Sequence, residues 1–166
     1  MKTALMAAAC ALAACGGSSG PATKFNATLN SANETPTSPS PNPAATGSAT
    51  YTVIGNAGYT NSAVINYTIT FSGLTAAAND GHIHVGAAGV SGGVTVPFTN
   101  VPALTSGTFN GSISASNVQA ATGGNVTVAA GSLDDLLAAM RAGNTYTNIH
   151  TSTNPDGEIR GQNQPH

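Results

Sequence analysis

Three histidines carry the chemistry most open to this sequence. His82 and His84 flank Ile83, and His150 follows Ile149 near the C-terminal end of the chain. On a β-strand, residues i and i+2 share a face with Cα atoms roughly 6.6 Å apart, so the rings of His82 and His84 point one way while Ile83 turns toward a core. Neutral imidazole binds zinc and copper at about 2.0–2.1 Å, and two rings at this spacing can share one ion. His150 completes a three-His set if its strand approaches that of His82 and His84. Ring nitrogens sharing one ion should then lie within about 4 Å of one another. The plain alternative is that these are exposed or hydrogen-bonding histidines that fix a loop. His166, the last residue, is read as a frayed end.

Glu158 and Arg160 form a second candidate group on one strand face. In a chain with only 6% charged residues they read either as a structural ion pair that fixes strand register or as a site where Arg160 faces an anion, its planar fork of donors matching such a ligand. Other chemistry finds no support. No Gly-rich phosphate loop leads into Lys and Ser/Thr, and no Gly-x-Ser-x-Gly elbow is present. Asp134 and Asp135 sit side by side at a helix start, where capping explains them. No catalytic residue is assigned, and an enzyme is the less favoured class. The four Lys and Arg make no basic footprint for nucleic acid, and 5% aromatics without Trp make no stacking platform.

The elements that must hold these residues are mostly strands. Phe25, Ala27 and Leu29 alternate with Asn26, Thr28 and Asn30, the period-2 pattern of a half-buried strand. Residues 47–54 form a second strand ending in a turn at 55–58. Residues 64–71 form a third, rich in β-branched and aromatic side chains. Further strands are predicted at 82–85, 94–98, 107–113, 145–150 and 158–162, with Asn79-Asp80-Gly81 as a turn before the first of these. Residues 34–43 are a Pro-rich loop that cannot enter a sheet, and residues 151–157 are a turn. One helix is predicted, capped by Ser132, with Leu133, Leu136, Leu137 and Met140 on one face and Gly143 as its stop. This pattern predicts an all-β fold, an antiparallel, Greek-key-like β-sandwich with one short helix.

The N-terminal residues belong to targeting. Lys2 precedes an apolar run from Ala4 to Ala14, too short for the roughly 20 residues that span a bilayer. Leu12-Ala13-Ala14-Cys15, followed by Gly16-Gly17-Ser18-Ser19-Gly20, resembles the lipobox of bacterial lipoproteins. That resemblance implies cleavage before Cys15 and lipidation of its thiol; an ordinary secretory signal is the alternative. The expected organisation is a signal peptide at 1–15, a tether at 16–23 and a β-sandwich domain at 24–166. The mature chain is then held on a membrane by acyl chains, in a bacterial cell envelope, facing periplasm or exterior. Cys10 leaves with the signal and Cys15 is acylated, so no thiol remains for a disulfide or a metal.

Several motifs together resemble the CHRD (chordin-type) domain family. They are Asn33-Glu34-Thr35-Pro36, Gly47-Ser48-Ala49-Thr50, Gly81-His82-Ile83-His84-Val85-Gly86, and residues 136–146 with their Arg-Ala-Gly-Asn-Thr-Tyr ending. The most specific are Asn148-Ile149-His150-Thr151 and Asn154-Pro155-Asp156-Gly157-Glu158-Ile159-Arg160-Gly161. The resemblance spans about residues 24–162 and implies a fold more than a function. A weaker one, to the copper half of copper–zinc superoxide dismutases, rests on the His-x-His strand, the later Ile-His strand and an Arg beyond it. It implies copper on His82, His84 and His150 and an anion-steering Arg160. The bridging His, the zinc loop and the disulfide of that family are missing.

The leading expectation is a lipid-anchored CHRD-domain binding module that holds copper or zinc through three His, with an unidentified protein partner. A copper-dependent superoxide-scavenging enzyme and a metal-free structural or adhesive surface protein are the alternatives.

Overall fold

A computed structural model describes residues 20–55 and 61–166. The expected signal peptide, Cys10, Cys15 and most of the expected tether lie outside them, as does part of the turn expected at 55–58. The alternating runs form strands with their apolar members inward. In β1 (Lys24–Asn30), Phe25, Ala27 and Leu29 are buried and their neighbours exposed. β2 (Thr46–Ile54) and β3 (Val64–Ser72) follow the same rule through Ala49, Tyr51 and Val53, and through Ile65, Tyr67, Ile69 and Phe71. The chain continues through β4 (Ala78–Val85), β5 (Val94–Pro97), β6 (Gly107–Ile113), β7 (Ala121–Gly123), β8 (Val126–Val128), α1 (Leu133–Arg141), β9 (Thr145–Thr151), β10 (Ile159–Gln162) and β11 (Gln164–Pro165).

The main sheet has the order β5-β4-β9-β10-β1-β2-β3-β6, with β11 added to β1; its pairings are all antiparallel. It curls until its two edges nearly meet. Phe98, just after edge strand β5, packs on Phe109 of edge strand β6 with ring centroids 5.6 Å apart. Across the interior, the Tyr51 hydroxyl of β2 meets Thr147 Oγ1 of β9 at 2.6 Å. The all-β expectation with one short helix holds, and the two layers are parts of one continuous, nearly closed sheet. β7 and β8 form a separate hairpin.

α1 forms where the apolar spacing predicts it. Ser132 caps it by accepting a hydrogen bond from the Asp135 N–H at 3.2 Å, and Leu133, Leu136, Leu137 and Met140 are buried on its inner face.

Asn79-Asp80-Gly81 is not the turn its composition suggests. These residues lie inside β4, where Asp80 pairs with His150 and Gly81 with Ile149, and the register shifts between Ala78 and Asp80. The ladder with β9 overrides local turn propensity, and the bulge absorbs the misfit. Gly81 fits closely here: a Cβ would lie 2.9 Å from Ile149 Cδ1, and that side chain would have to shift. The consequence is functional: the ladder extends far enough to set Asp80 beside the histidines.

Candidate metal centre

β9 differs from the other strands because all seven of its residues are buried. Thr145, Thr147 and Ile149 face the apolar interior side; Tyr146, Asn148 and His150 alternate with them and face outward, onto the other side of the sheet. The cross-strand register places His82 opposite Asn148, His84 opposite Tyr146 and Arg160 opposite Asn148. Loops then cover this outer face. Asn33 Nδ2 donates to the Arg160 carbonyl at 3.1 Å, the Ser38 hydroxyl to the Gly157 carbonyl at 2.8 Å, and the Ser40 N–H to Asn154 Oδ1 at 2.9 Å. The Ser91 hydroxyl also reaches the Thr35 carbonyl. The result is a second buried layer, made of polar side chains.

The three histidines meet in that layer. Ile83 and Ile149 are fully buried in the core, as alternation requires, while His84 and His150 are 9% and 8% exposed. One ring nitrogen from each of His82, His84 and His150 lies within 4.8 Å of the other two, so the three could hold a metal ion. This bound is looser than the separation expected for a shared ion. The tightest contact, His82 Nδ1 to His150 Nε2, is 3.2 Å.

The second nitrogen of each ring decides what the first can do. His84 Nδ1 stands 3.0 Å from the Gly92 carbonyl oxygen, and His150 Nδ1 stands 2.9 Å from the Pro155 carbonyl oxygen. His82 Nε2 stands 3.0 Å from Asp80 Oδ1. Carbonyl and carboxylate oxygens only accept, so each of these nitrogens carries the proton. In neutral rings, His82 Nδ1, His84 Nε2 and His150 Nε2 are therefore left as lone pairs. His84 Nε2 is buried without a partner, and the other two lone pairs face each other at 3.2 Å. Such a contact is unfavourable unless a cation, either a proton or a metal, lies between them. Oxygen partners that fix the tautomer and orientation of ligating histidines are the usual surroundings of a metal site.

Protonation is a poor way to supply that cation. Burial pushes the His84 imidazole down to about 4, against a smaller opposing pull from the Gly92 carbonyl. Burial also lowers His82, with Asp80 opposing. At neutral pH the His82 and His84 rings are thus held in the neutral form that ligates.

Glu158 and Arg160 take separate partners rather than each other. Burial works against ionising Glu158, yet hydrogen bonds from Thr151 and Thr75 hold its carboxyl below the usual range. Its Oε1 accepts from the Thr75 N–H at 2.6 Å, and its Oε2 from the Thr151 hydroxyl at 2.6 Å. Arg160 lies over the Tyr146 ring, with Cζ 3.4 Å from the centroid, and its Nη2 donates to the carbonyls of Ala87 and Val90. The Tyr146 ring also stacks on His84, nearly parallel, with centroids 4.8 Å apart.

A family model, the CHRD domain, matches residues 25–163. The chain belongs to the CHRD family. No curated protein and no solved structure matches it. Within this CHRD domain the three histidines come from β4 and β9, and the loops that bury them come from the 31–43, 86–93 and 152–158 stretches.

Two participants in the layer escape a reading of the sequence for chemistry. Glu34 sits in a Pro-rich stretch that reads as a loop outside the sheet, yet it is only 6% exposed and its Oε2 accepts from Asn148 Nδ2 at 3.4 Å. Burial pushes its carboxyl up to about 8, with Arg160 and Asn148 opposing. Tyr146 reads as an ordinary strand aromatic; only its register opposite His84 would have flagged it. Glu34 Oε1, Asn148 Oδ1 and Arg160 Nη1 join His84 Nε2 as buried polar atoms without a partner. Such a concentration of unmet polar atoms on one face calls for a bound group or for water.

Proposed function

We propose that this CHRD domain is a lipid-anchored binding module of the bacterial cell envelope that holds one copper or zinc ion through His82, His84 and His150. The observation that carries the metal reading is the pair of facing lone pairs at 3.2 Å between His82 Nδ1 and His150 Nε2, beside the unpartnered Nε2 of buried His84. A divalent ion bound by these three nitrogens would satisfy every ring at once. The second nitrogens would keep their hydrogen bonds to Asp80, Gly92 and Pro155. All-imidazole ligation suits both copper and zinc, and thiols are not required.

Protein dialysed against copper or zinc and then desalted is expected to retain one ion per chain. With copper, electron paramagnetic resonance should show coupling to nitrogen ligands. The His82→Ala/His84→Ala double mutant should retain less than a tenth of that metal. Equal metal in the two proteins would remove these residues from the ligand set. Consumption of superoxide by the copper-loaded protein no faster than by hydrated copper would keep it among binding modules.

The anchoring reading is supported by the apolar run, Leu12-Ala13-Ala14-Cys15 and the Gly/Ser tether after it. Each buried CH₂ of an acyl chain contributes about 0.8 kcal/mol, and more than one chain makes attachment stable. Expressed in a bacterial host, the chain should fractionate with membranes and incorporate labelled palmitate, whereas Cys15→Ala should do neither. A Cys15→Ala protein that stays with the membrane to the same extent would discard the lipid anchor.

A further inference from the structure

Two carboxyls are buried among the described residues, Glu34 and Glu158, and they differ in charge. Glu158 is ionised at neutral pH, its oxygens engaged by Thr75 and Thr151. Glu34 has Oε1 buried without a partner and receives a long hydrogen bond from Asn148 Nδ2 at 3.4 Å on Oε2. Oε1 is therefore the oxygen left to carry the proton. Burial pushes this carboxyl up to about 8, with Arg160 and Asn148 opposing and Glu158 reinforcing, so at pH 7 about nine in ten chains hold that proton. Asn148 sets its place relative to the histidines. That residue lies between Tyr146 and His150 on the outer face of β9, opposite His82 on one side and Arg160 on the other. Gly157 closes over the pair, since a Cβ there would lie 2.6 Å from both Glu34 Oε2 and Asn148 Nδ2. The Glu34 carboxyl is thus one side chain away from the histidine cluster, inside the buried polar layer.

Three neutral rings bring no negative charge to an ion. A divalent ion held by them adds two positive charges to a layer whose buried cation, Arg160, makes no ion pair among the described residues. Charges separated by protein interior interact more strongly than across water and are screened less, and a nearby cation favours the ionised form of a carboxyl. Glu34 is the buried carboxyl that still has a proton to give up. Glu158 is already ionised, and Asp80, whose Oδ1 stands 3.0 Å from His82 Nε2, is exposed. The other titratable groups of the layer are Tyr146 and the three histidines, on β9 and β4. The 31–43 and 86–93 loops bring none beyond Glu34, and the 152–158 turn brings Glu158 and the exposed Asp156.

We infer that Glu34 is the charge-compensating acid of the three-His site: uptake of a divalent ion at His82, His84 and His150 makes the Glu34 carboxyl release its proton to solvent. The inference rests on the metal reading above and adds a proton count to it. Glu34 makes no bond to the ion. The O–H bond at Oε1 breaks, the carboxylate keeps the electron pair, and the charge gained by the layer falls from two to one. Ion affinity therefore rises with pH until the carboxyl is ionised in the metal-free protein as well.

The test is calorimetric titration of zinc chloride into the metal-free full chain at pH 7, and into Glu34→Gln, in weakly zinc-binding buffers that differ in ionisation enthalpy. The dependence of the heat on the buffer gives the protons released per zinc bound. The parent is expected to release about 0.9 proton more than the variant, and its affinity relative to the variant's should rise about ninefold from pH 6 to pH 7. Protons from the histidines are common to both proteins and cancel in the comparison. Difference infrared spectra of the parent alone should show loss of a protonated-carboxyl band on zinc addition, a readout that does not need Glu34→Gln to fold. One zinc per chain with equal proton release in the two proteins, or an unchanged carboxyl band, overturns the coupling and leaves the histidine site standing. Absence of zinc binding by the parent overturns the site and the coupling together.

Discussion

At pH 8 and in EDTA, Glu34→Gln is expected to raise the unfolding free energy of this CHRD domain by on the order of 4 kcal/mol. The folded pKa of Glu34 is raised from 4.5 to about 8, so the folded state holds a proton that the unfolded chain releases above pH 4.5. Stability linked to this group is fully present below pH 4.5 and is lost as pH rises through 8, at up to about 1.36 kcal/mol per pH unit. The amide of the variant stays neutral and loses nothing over that range. It also supplies a permanent donor where Glu34 Oε1 and Asn148 Oδ1 now lack partners, while its oxygen can keep the hydrogen bond from Asn148 Nδ2.

His84 works in the opposite sense. Its folded pKa is depressed from 6.5 to about 4, so its contribution is present above pH 6.5 and is lost as pH falls toward 4. His82 shifts in the same direction. In the parent protein the two trends nearly cancel between pH 4.5 and 6.5, and stability then declines toward pH 8. In Glu34→Gln the profile should instead rise to pH 6.5 and stay level. Urea denaturation at pH 4, 5, 6.5 and 8 measures both curves. Parallel profiles for the two proteins, or a parent profile that is level from pH 6.5 to 8, would show that Glu34 is ionised in the folded state.

Local periodicity makes one half of this site legible in the sequence. The period of 2 around Ile83 and Ile149 places the three imidazoles on the opposite face from the core, because a strand gives its side chains only two directions. The Leu and Met spacing of α1 is legible for the same reason, as is the Ser132 cap. Burial of the histidine face depends instead on three loops, two rich in Ser, Thr, Asn and Pro and one in Gly and Ala, whose composition has no period and most of whose closing contacts join residues more than a hundred positions apart, such as Ser38 with Gly157. Glu34 is therefore unreadable as a buried acid. The same limit separates Glu158 from Arg160: alternation puts them on one face, but Thr75 and Thr151 arrive from elsewhere in the chain to claim the carboxylate. Asn79-Asp80-Gly81 errs the other way, since a strong local turn signal yields to a ladder with β9 that no short window contains.

Gly92→Ala is expected to damage both the fold and the proposed metal site, through one methyl group that touches none of the three histidines. A Cβ at position 92 would collide with the carbonyl oxygen of Val85, a backbone atom in β4 that cannot swing aside. The segment around residue 92 must shift, at a cost of about 3 kcal/mol or more. That segment supplies the carbonyl facing His84 Nδ1 at 3.0 Å, and its N–H donates to the Tyr146 hydroxyl at 3.1 Å. Moving it releases the His84 ring from the tautomer and orientation that aim Nε2 at the other histidines. Loss of such an orienting partner typically lowers metal affinity by roughly 10- to 100-fold. Gly93→Ala is the matched control, because its Cβ would meet the Ala121 methyl at 3.3 Å, a contact that a small adjustment relieves. Chemical denaturation in EDTA together with competitive copper titration separates the two effects. A Gly92→Ala protein that is destabilised but binds copper as tightly as the parent would show that the Gly92 carbonyl supports the loop without orienting His84.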